Sequence, residues 1–186
     1  EMTLPIEELR RARDTWASMA DCTRLSREAD VLLALRLNDR KKLQALAITG
    51  AKGQRFLFIP SAVLWKDANA RATELGGRLA VVADRETNSL IAGLLQPYFG
   101  AWIGCRQTDQ VRKWCDGQEH SFHGFRHATD VFMDGWIFID PQVGWQVGDD
   151  PGRAGWIIEW APADASLPAD ASLPADASLK EQSPNK

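Results

Sequence analysis

Tryptophan is concentrated in one segment of this chain, and that distribution constrains the fold more than any other feature of the sequence. Six of the eight tryptophans lie between Trp102 and Trp160. Each indole buries roughly 200 Å² and needs a hydrogen-bond acceptor for its N–H group. The cysteines, Cys22, Cys105 and Cys115, are too few for a disulfide framework and favour a reducing compartment. We therefore expect a core of aromatic side chains rather than sulfur bridges.

Charge and hydropathy exclude several classes of partner. The 186 residues include 22 Lys and Arg against 25 Asp and Glu, a net charge of −3 that argues against nucleic acid or an anionic membrane as the partner. The longest apolar runs, such as residues 31–35, are far shorter than the roughly 20 residues that span a bilayer. No secretory signal is visible at the amino terminus. Together with the cysteine usage, this favours a cytoplasmic location.

The two ends of the chain differ from its centre. Residues 162–179 are three copies of Pro-Ala-Asp-Ala-Ser-Leu, which predicts that residues 162–186 form a disordered tail because such a composition buries little apolar surface. Residues 1–52 form a helical lead with three amphipathic segments, the second starting at Ser26 or Asp30 and the third at Asp39. This lead either packs on the main domain or serves as a linker or dimerisation element.

The central region, residues 53–161, has the pattern of an α+β domain with an antiparallel sheet. A short strand at residues 56–59 precedes a helix at residues 65–75. A further strand at residues 79–82 precedes a second helix, which Asp84 caps. The remaining β candidates are residues 101–105, 112–115, 136–139, 145–147 and 156–160.

Six segments in this region occur in a recognisable order. They are Trp65-Lys-Asp-Ala68, Leu75-Gly-Gly-Arg-Leu79, residues 86–95, Ala101-Trp-Ile-Gly104, Lys113-Trp-Cys-Asp-Gly117 and Gly155-Trp-Ile-Ile-Glu-Trp160. Together they resemble the C-type lectin-like domain over residues 56–160. The resemblance implies two helices, a small antiparallel sheet and a long irregular loop region, and it implies ligand recognition rather than catalysis.

The sequence departs from this family at the disulfide and calcium positions. Ala72 and Ile158 stand where the resemblance implies paired cysteines. The loop at residues 117–135 lacks Glu-Pro-Asn or Gln-Pro-Asp, and Trp145-Gln146-Val147 replaces Trp-Asn-Asp. Calcium needs six to eight oxygen ligands, so we expect no calcium-dependent sugar site. The remaining loop carboxylates are more typical of local hydrogen bonding in turns; they are Asp130, Asp134, Asp149 and Asp150.

Two other groups of residues are candidate sites. His120, His123 and His127 are zinc-ligand types whose spacing fits no closed structural site, so a metal-dependent site there is an alternative hypothesis. Cys105 and Cys115 lie on two strands of one hairpin, where they either face each other as a redox pair or pack separately as core thiols. No catalytic motif is present, and no cofactor is predicted.

The leading hypothesis is a non-enzymatic recognition module that binds a protein or carbohydrate ligand, independently of calcium, through the loop surface at residues 122–150. Aromatic, histidine and arginine side chains there are typical of binding surfaces. The candidate ligand-binding residues are Phe125, Arg126, His127, Asp130, Trp145, Gln146 and Asp149. At least two of Phe122, Phe125 and Trp145 are expected to support the loop from the core. The alternative is an accessory or regulatory domain of a larger enzyme, such as a bacterial protein kinase, and the start of the chain at Glu1 is compatible with it.

Overall fold

The computed structural model describes residues 5–17, 22–95, 100–109, 111–119, 122, 124–125, 134–148 and 155–162. Its helices are α1 (Ile6–Ala17), α2 (Thr23–Arg36), α3 (Arg40–Leu46), α4 (Trp65–Glu74) and α5 (Arg85–Leu95). The strands are β1 (Ile48–Thr49), β2 (Arg55–Ile59), β3 (Arg78–Leu79), β4 (Ala101–Thr108), β5 (Val111–Trp114), β6 (Gly135–Asp140), β7 (Gly144–Gly148) and β8 (Gly155–Trp160). None of the described helices is long and apolar enough to cross a membrane.

The eight strands form one sheet in the order β1-β2-β8-β4-β6-β7, with β3 also paired to β8 and β5 to β4. All pairs are antiparallel except β4 with β8. Every residue of β8 is buried, because this strand lies near the centre of the sheet and is covered on both faces. A mostly apolar run, such as the one in β8, is typical of a strand that is buried on both faces.

Two hydrophobic cores lie on opposite faces of the sheet. Alternate side chains of a strand point to opposite faces, and the neighbours Trp102 and Ile103 on β4 accordingly enter different cores. The α5 core contains Ile103 and Trp145 together with Ile91 of α5. The α4 core contains Trp102 together with Ala72 of α4. The chain therefore builds an α+β architecture, as the sequence predicted.

The helical lead is only partly as expected. Helix α2 begins at Thr23, so the predicted start at Ser26 or Asp30 is wrong by about a turn or two. Cys22 occupies the cap position without a side-chain hydrogen bond. The helix is stabilised instead by burial of apolar residues further along, including Ala29 and Val31.

The lead and the main domain share a core. Val31, Ala34 and Leu43 pack into the α4 core, and β1 extends the sheet beside β2. Of the two roles considered for the lead, packing on the main domain is therefore seen for α2 and α3. Residues 163–186, which hold nearly all of the predicted repeat tail, lie outside the described residues.

Candidate ligand-binding site

The described part of the long loop is attached directly to β7. Phe125 forms a parallel bridge with Trp145, and the backbone N–H of Trp145 donates to the carbonyl oxygen of Gly124 at 3.1 Å. A Cβ atom on Gly124 would lie 2.5 Å from Nε1 of Trp145. Only glycine permits so close an approach of the loop to this indole, so the residue at position 124 sets how the loop sits on the sheet.

Four aromatic side chains hold the loop against the α5 core. We call them the Trp145 cluster: Trp145 makes edge-to-face contacts with Trp114 at 5.6 Å and with Phe122 and Phe125 at 5.8 Å between ring centroids. Such pairs contribute about 0.5–1.5 kcal/mol each beyond their burial. The Trp145 Nε1–H donates to Oδ1 of Asn88 on α5 at 2.8 Å. The loop is thus anchored to both a strand and a helix.

Some aromatic residues of this region are buried and support the loop, whereas others are partly exposed and form its surface. Trp145 is 1% exposed, so its side chain supports the loop from beneath. The sequence predicted that Trp145 contacts the ligand, and the structure corrects this because a buried indole can only position the loop. Phe125 is half-buried, and the guanidinium of Arg112 lies over its ring at 5.4 Å. Phe125 and Arg112 therefore present an aromatic and a cationic group at the edge of the cluster.

Gln146 does not join this group. Because side chains alternate along β7, Trp145 and Val147 enter the α5 core while Gln146 points to the opposite face, where its cross-strand partner is Phe138. The sequence placed Phe125 and Gln146 in one site, but the structure puts them on different faces of the sheet.

Val147 stands where the resemblance implies a strand carboxylate, and its surroundings in the structure are apolar. Val147 is 9% exposed and packs in the α5 core. In the part of the chain that the structure describes, no group of three or more His, Cys, Asp and Glu side chains could hold a metal ion. Asp134 accepts a hydrogen bond from the backbone N–H of Asp109 at 2.8 Å. Because these residues are 25 positions apart, this is a contact between distant segments and not the local turn bonding that the sequence favoured.

Several predicted site residues fall outside the described residues. They are His120, His123, Arg126, His127, Asp130, Asp149 and Asp150. The alternative metal site at the three histidines stays a hypothesis for this reason.

A partly buried ion network lies beside the beginning of the loop, and sequence reasoning missed it. Glu159 on β8 is 2% exposed. Its carboxylate accepts from Arg78 at 2.9 Å and from the backbone N–H of Val81 at 2.8 Å. Arg78 also lies 3.5 Å from Asp116, where the loop begins. Burial lowers the pKa of Arg78, but its hydrogen bond and charge pairing with Glu159 raise that pKa overall. A lone acid in the apolar strand was the available signal, since buried charges need partners.

The two central thiols do not face each other. Cys105 is opposite Trp114 in the β4–β5 register, whereas the backbone N–H of Cys115 donates to Gly104 at 2.8 Å. Cys115 is therefore opposite Gly104, the β4 residue next to Cys105, and successive positions of a strand point to opposite faces. Both thiols are free, and burial raises the pKa of each to about 12. This arrangement agrees with the alternative in which the two cysteines pack separately as core thiols.

The motif Ala101-Trp-Ile-Gly104 has a clear steric reason for its glycine. A Cβ atom at position 104 would lie 2.5 Å from Sγ of Cys115 and 2.7 Å from the carbonyl oxygen of Leu79. Strand β4 and the turn after β5 approach each other here without room for a side chain.

Solved structures share this fold. SPL-1 in a complex with GlcNAc matches with a TM-score of 0.52 and 21% identity over 58% of this chain and 88% of that chain. The Ca²⁺-independent C-type lectin SPL-2 from Saxidomus purpuratus matches with a TM-score of 0.54 and 21% identity over 60% and 89%. Human lithostathine matches with a TM-score of 0.54 and 15% identity over 60% and 95%. No sequence-family model and no curated protein sequence matches the chain.

The chain has a C-type lectin-like fold. The resemblance found in six short sequence segments is confirmed by the structure and by these neighbours. The similarity at these identities concerns the fold alone.

Proposed function

We propose that this protein is a non-enzymatic recognition module that binds a protein or carbohydrate ligand through its loop face without calcium. The observation that carries this proposal is the Trp145 cluster. A calcium ion and its carboxylates hold a loop in place by charge, whereas here two edge-to-face aromatic contacts and a strand bridge attach the loop to β7. A third such contact joins the same indole to Trp114 of β5.

The apolar surroundings of β7 also support calcium independence. Calcium prefers charged and carbonyl oxygens, and a Val147 side chain packed in the α5 core supplies neither. A neighbour with the same fold is described as a Ca²⁺-independent C-type lectin, and another is seen with GlcNAc bound. For this chain, calcium independence and sugar binding are both part of the proposal.

The ligand would contact the edge of the loop at Phe125. The ring of Phe125 supplies an apolar contact, and Arg112 beside it supplies a charged hydrogen-bond donor. We propose that Arg126, His127, Asp130 and Asp149 complete this surface, while Trp145 positions it from below.

A glycan and protein array tests this function with one informative variant and one matched control. Gly124→Ala places a methyl group against the Trp145 indole and should displace the loop, whereas Gly93→Ala on α5 has no atom within 4 Å of the added group. We expect binding by the wild type and by Gly93→Ala that is unchanged in chelator, and at least about tenfold weaker binding by Gly124→Ala, which corresponds to about 1.4 kcal/mol. Circular dichroism checks that both variants are folded. Ligand binding that appears only with added calcium would overturn the proposal.

A further inference from the structure

We propose that a second surface, on the α4 face of the sheet, binds an acidic saccharide, that is, a sugar chain carrying carboxylate or sulfate groups. This surface consists of Trp65, Trp136, Arg106 and Lys113, and we call it the Trp65–Lys113 surface. It is separate from the loop face, because Phe125 and Trp145 pack on the α5 face.

The strand register puts three of these residues in one row. Arg106 on β4 is opposite Lys113 on β5 and also opposite Trp136 on β6. Residues directly opposite each other point to the same face of a sheet. Because neighbouring strands are about 4.8 Å apart, the row from Lys113 to Trp136 extends about 10 Å. A disaccharide can cover such a row, whereas a single sugar ring cannot.

One end of the row is a flat aromatic platform. Trp65, the first residue of α4, stacks on Trp136 with ring centroids 4.1 Å apart and an angle of 13° between the rings. The Trp65 Nε1–H donates to the carbonyl oxygen of Ile103 at 2.7 Å, which fixes the orientation of the indole. Both rings are half-buried at the rim of the α4 core. Trp65 covers one face of Trp136 and the Arg106 guanidinium lies over the other, so the indole face of this pair that remains for a ligand is the outer face of Trp65. The negative face of an indole attracts the positively polarised C–H groups of a sugar ring.

The rest of the row is cationic. Arg106 and Lys113 are exposed, and the guanidinium of Arg106 lies over the Trp136 ring at 4.8 Å. Within the described residues, no carboxylate forms an ion pair with either side chain. Their charges are therefore available to an anionic ligand. An aromatic platform beside two cations that have no ion-pair partner among the described residues complements a sugar chain whose rings have apolar C–H faces and whose substituents are negative.

Isothermal titration of the complete chain with two matched polysaccharides tests this proposal. Heparin serves as the acidic probe and dextran as the neutral one. We expect heparin binding that weakens as salt is raised, since exposed charges are screened, and no measurable dextran binding. The double variant Arg106→Gln/Lys113→Gln should bind heparin about 10- to 100-fold more weakly, because hydrogen bonds to charged groups each correspond to a factor of about ten.

The control keeps the change in charge and moves its position. Arg11→Gln/Lys41→Gln removes two exposed cations from α1 and α3 and should leave heparin binding within about twofold. An equal loss in this control would mean that net charge alone governs binding, and the proposal would be wrong. Equally tight binding of a single-stranded oligonucleotide would also contradict it, since the surface would then select polyanions rather than sugars. Gly124→Ala should retain heparin binding, which separates this surface from the loop face.

Discussion

Trp102 provides the most direct test of whether aromatic packing stabilises this fold. Its side chain is 1% exposed on β4, its Nε1–H donates to the carbonyl oxygen of Val63 at 2.9 Å, and its ring meets Phe138 edge-to-face at 5.7 Å. Burying roughly 200 Å² at about 25 cal/mol per Å² gives an upper limit near 5 kcal/mol. Trp102→Ala should therefore lower the free energy of unfolding by about 3–5 kcal/mol, the usual range for a large aromatic truncation.

Urea unfolding followed by circular dichroism measures this change. Trp102→Phe keeps most of the ring contacts but loses the N–H donor, so it should cost less, about 1–2 kcal/mol. Leu37→Ala, at a leucine that is 48% exposed, should stay within about 0.5 kcal/mol of the wild type. A decrease in the free energy of unfolding of less than about 1 kcal/mol for Trp102→Ala would refute the packing argument, because removing a fully buried indole should destabilise the protein by several times that amount.

The remaining predictions concern titratable groups. Burial raises the pKa values of Cys105 and Cys115 to about 12. Alkylation of the native protein at pH 8 should therefore label half-buried Cys22 first. A mass spectrum in which all three thiols are labelled at the same rate would contradict this prediction. The hydrogen bond from Lys52, followed by that from the Thr87 backbone, lowers the pKa of Asp84 from 3.8 to about 2. A lowered folded-state pKa stabilises the protein above the unfolded value and ceases to do so as the pH falls through the folded one. The stability difference between wild type and Asp84→Asn should therefore narrow from pH 5 to pH 2 in urea titrations, and a constant difference would show that the Lys52 pair is not maintained.

Local signals in the sequence were enough to find most elements of the fold. Asp84 was expected to cap a helix, and its carboxylate accepts from the backbone N–H of Thr87 at 2.8 Å. The sequence predicted strand β4 but ended it at Cys105, whereas the strand in the structure extends to Thr108. The exposed residues Arg106 and Thr108 interrupt the apolar pattern, although both pair with β5. Pairing between strands, which the pattern of one strand does not show, extends this element.

The site was harder to predict because it depends on register and on which face a side chain occupies. Trp145 and Gln146 are adjacent in sequence, yet one is in the α5 core and the other faces away from it. The separation of Cys105 from Cys115 also follows from register, and β4 carries a register shift against β6 between Trp102 and Arg106. Composition identified the residue types for binding but could not sort them between the two faces.

Indole hydrogen bonds give this fold long-range connections of a kind that disulfides supply elsewhere. Four such bonds join residues 38 to 85 positions apart in the chain, from Trp65 to Ile103, Trp102 to Val63, Trp145 to Asn88 and Trp160 to Leu75. Each contributes only about 1 kcal/mol, whereas a disulfide contributes about 2–4 kcal/mol. The indole rings add burial and ring contacts that a sulfur bridge does not. Because Ala72 and Ile158, at the family's cysteine positions, are fully buried in the α4 core, packing there requires no oxidising environment.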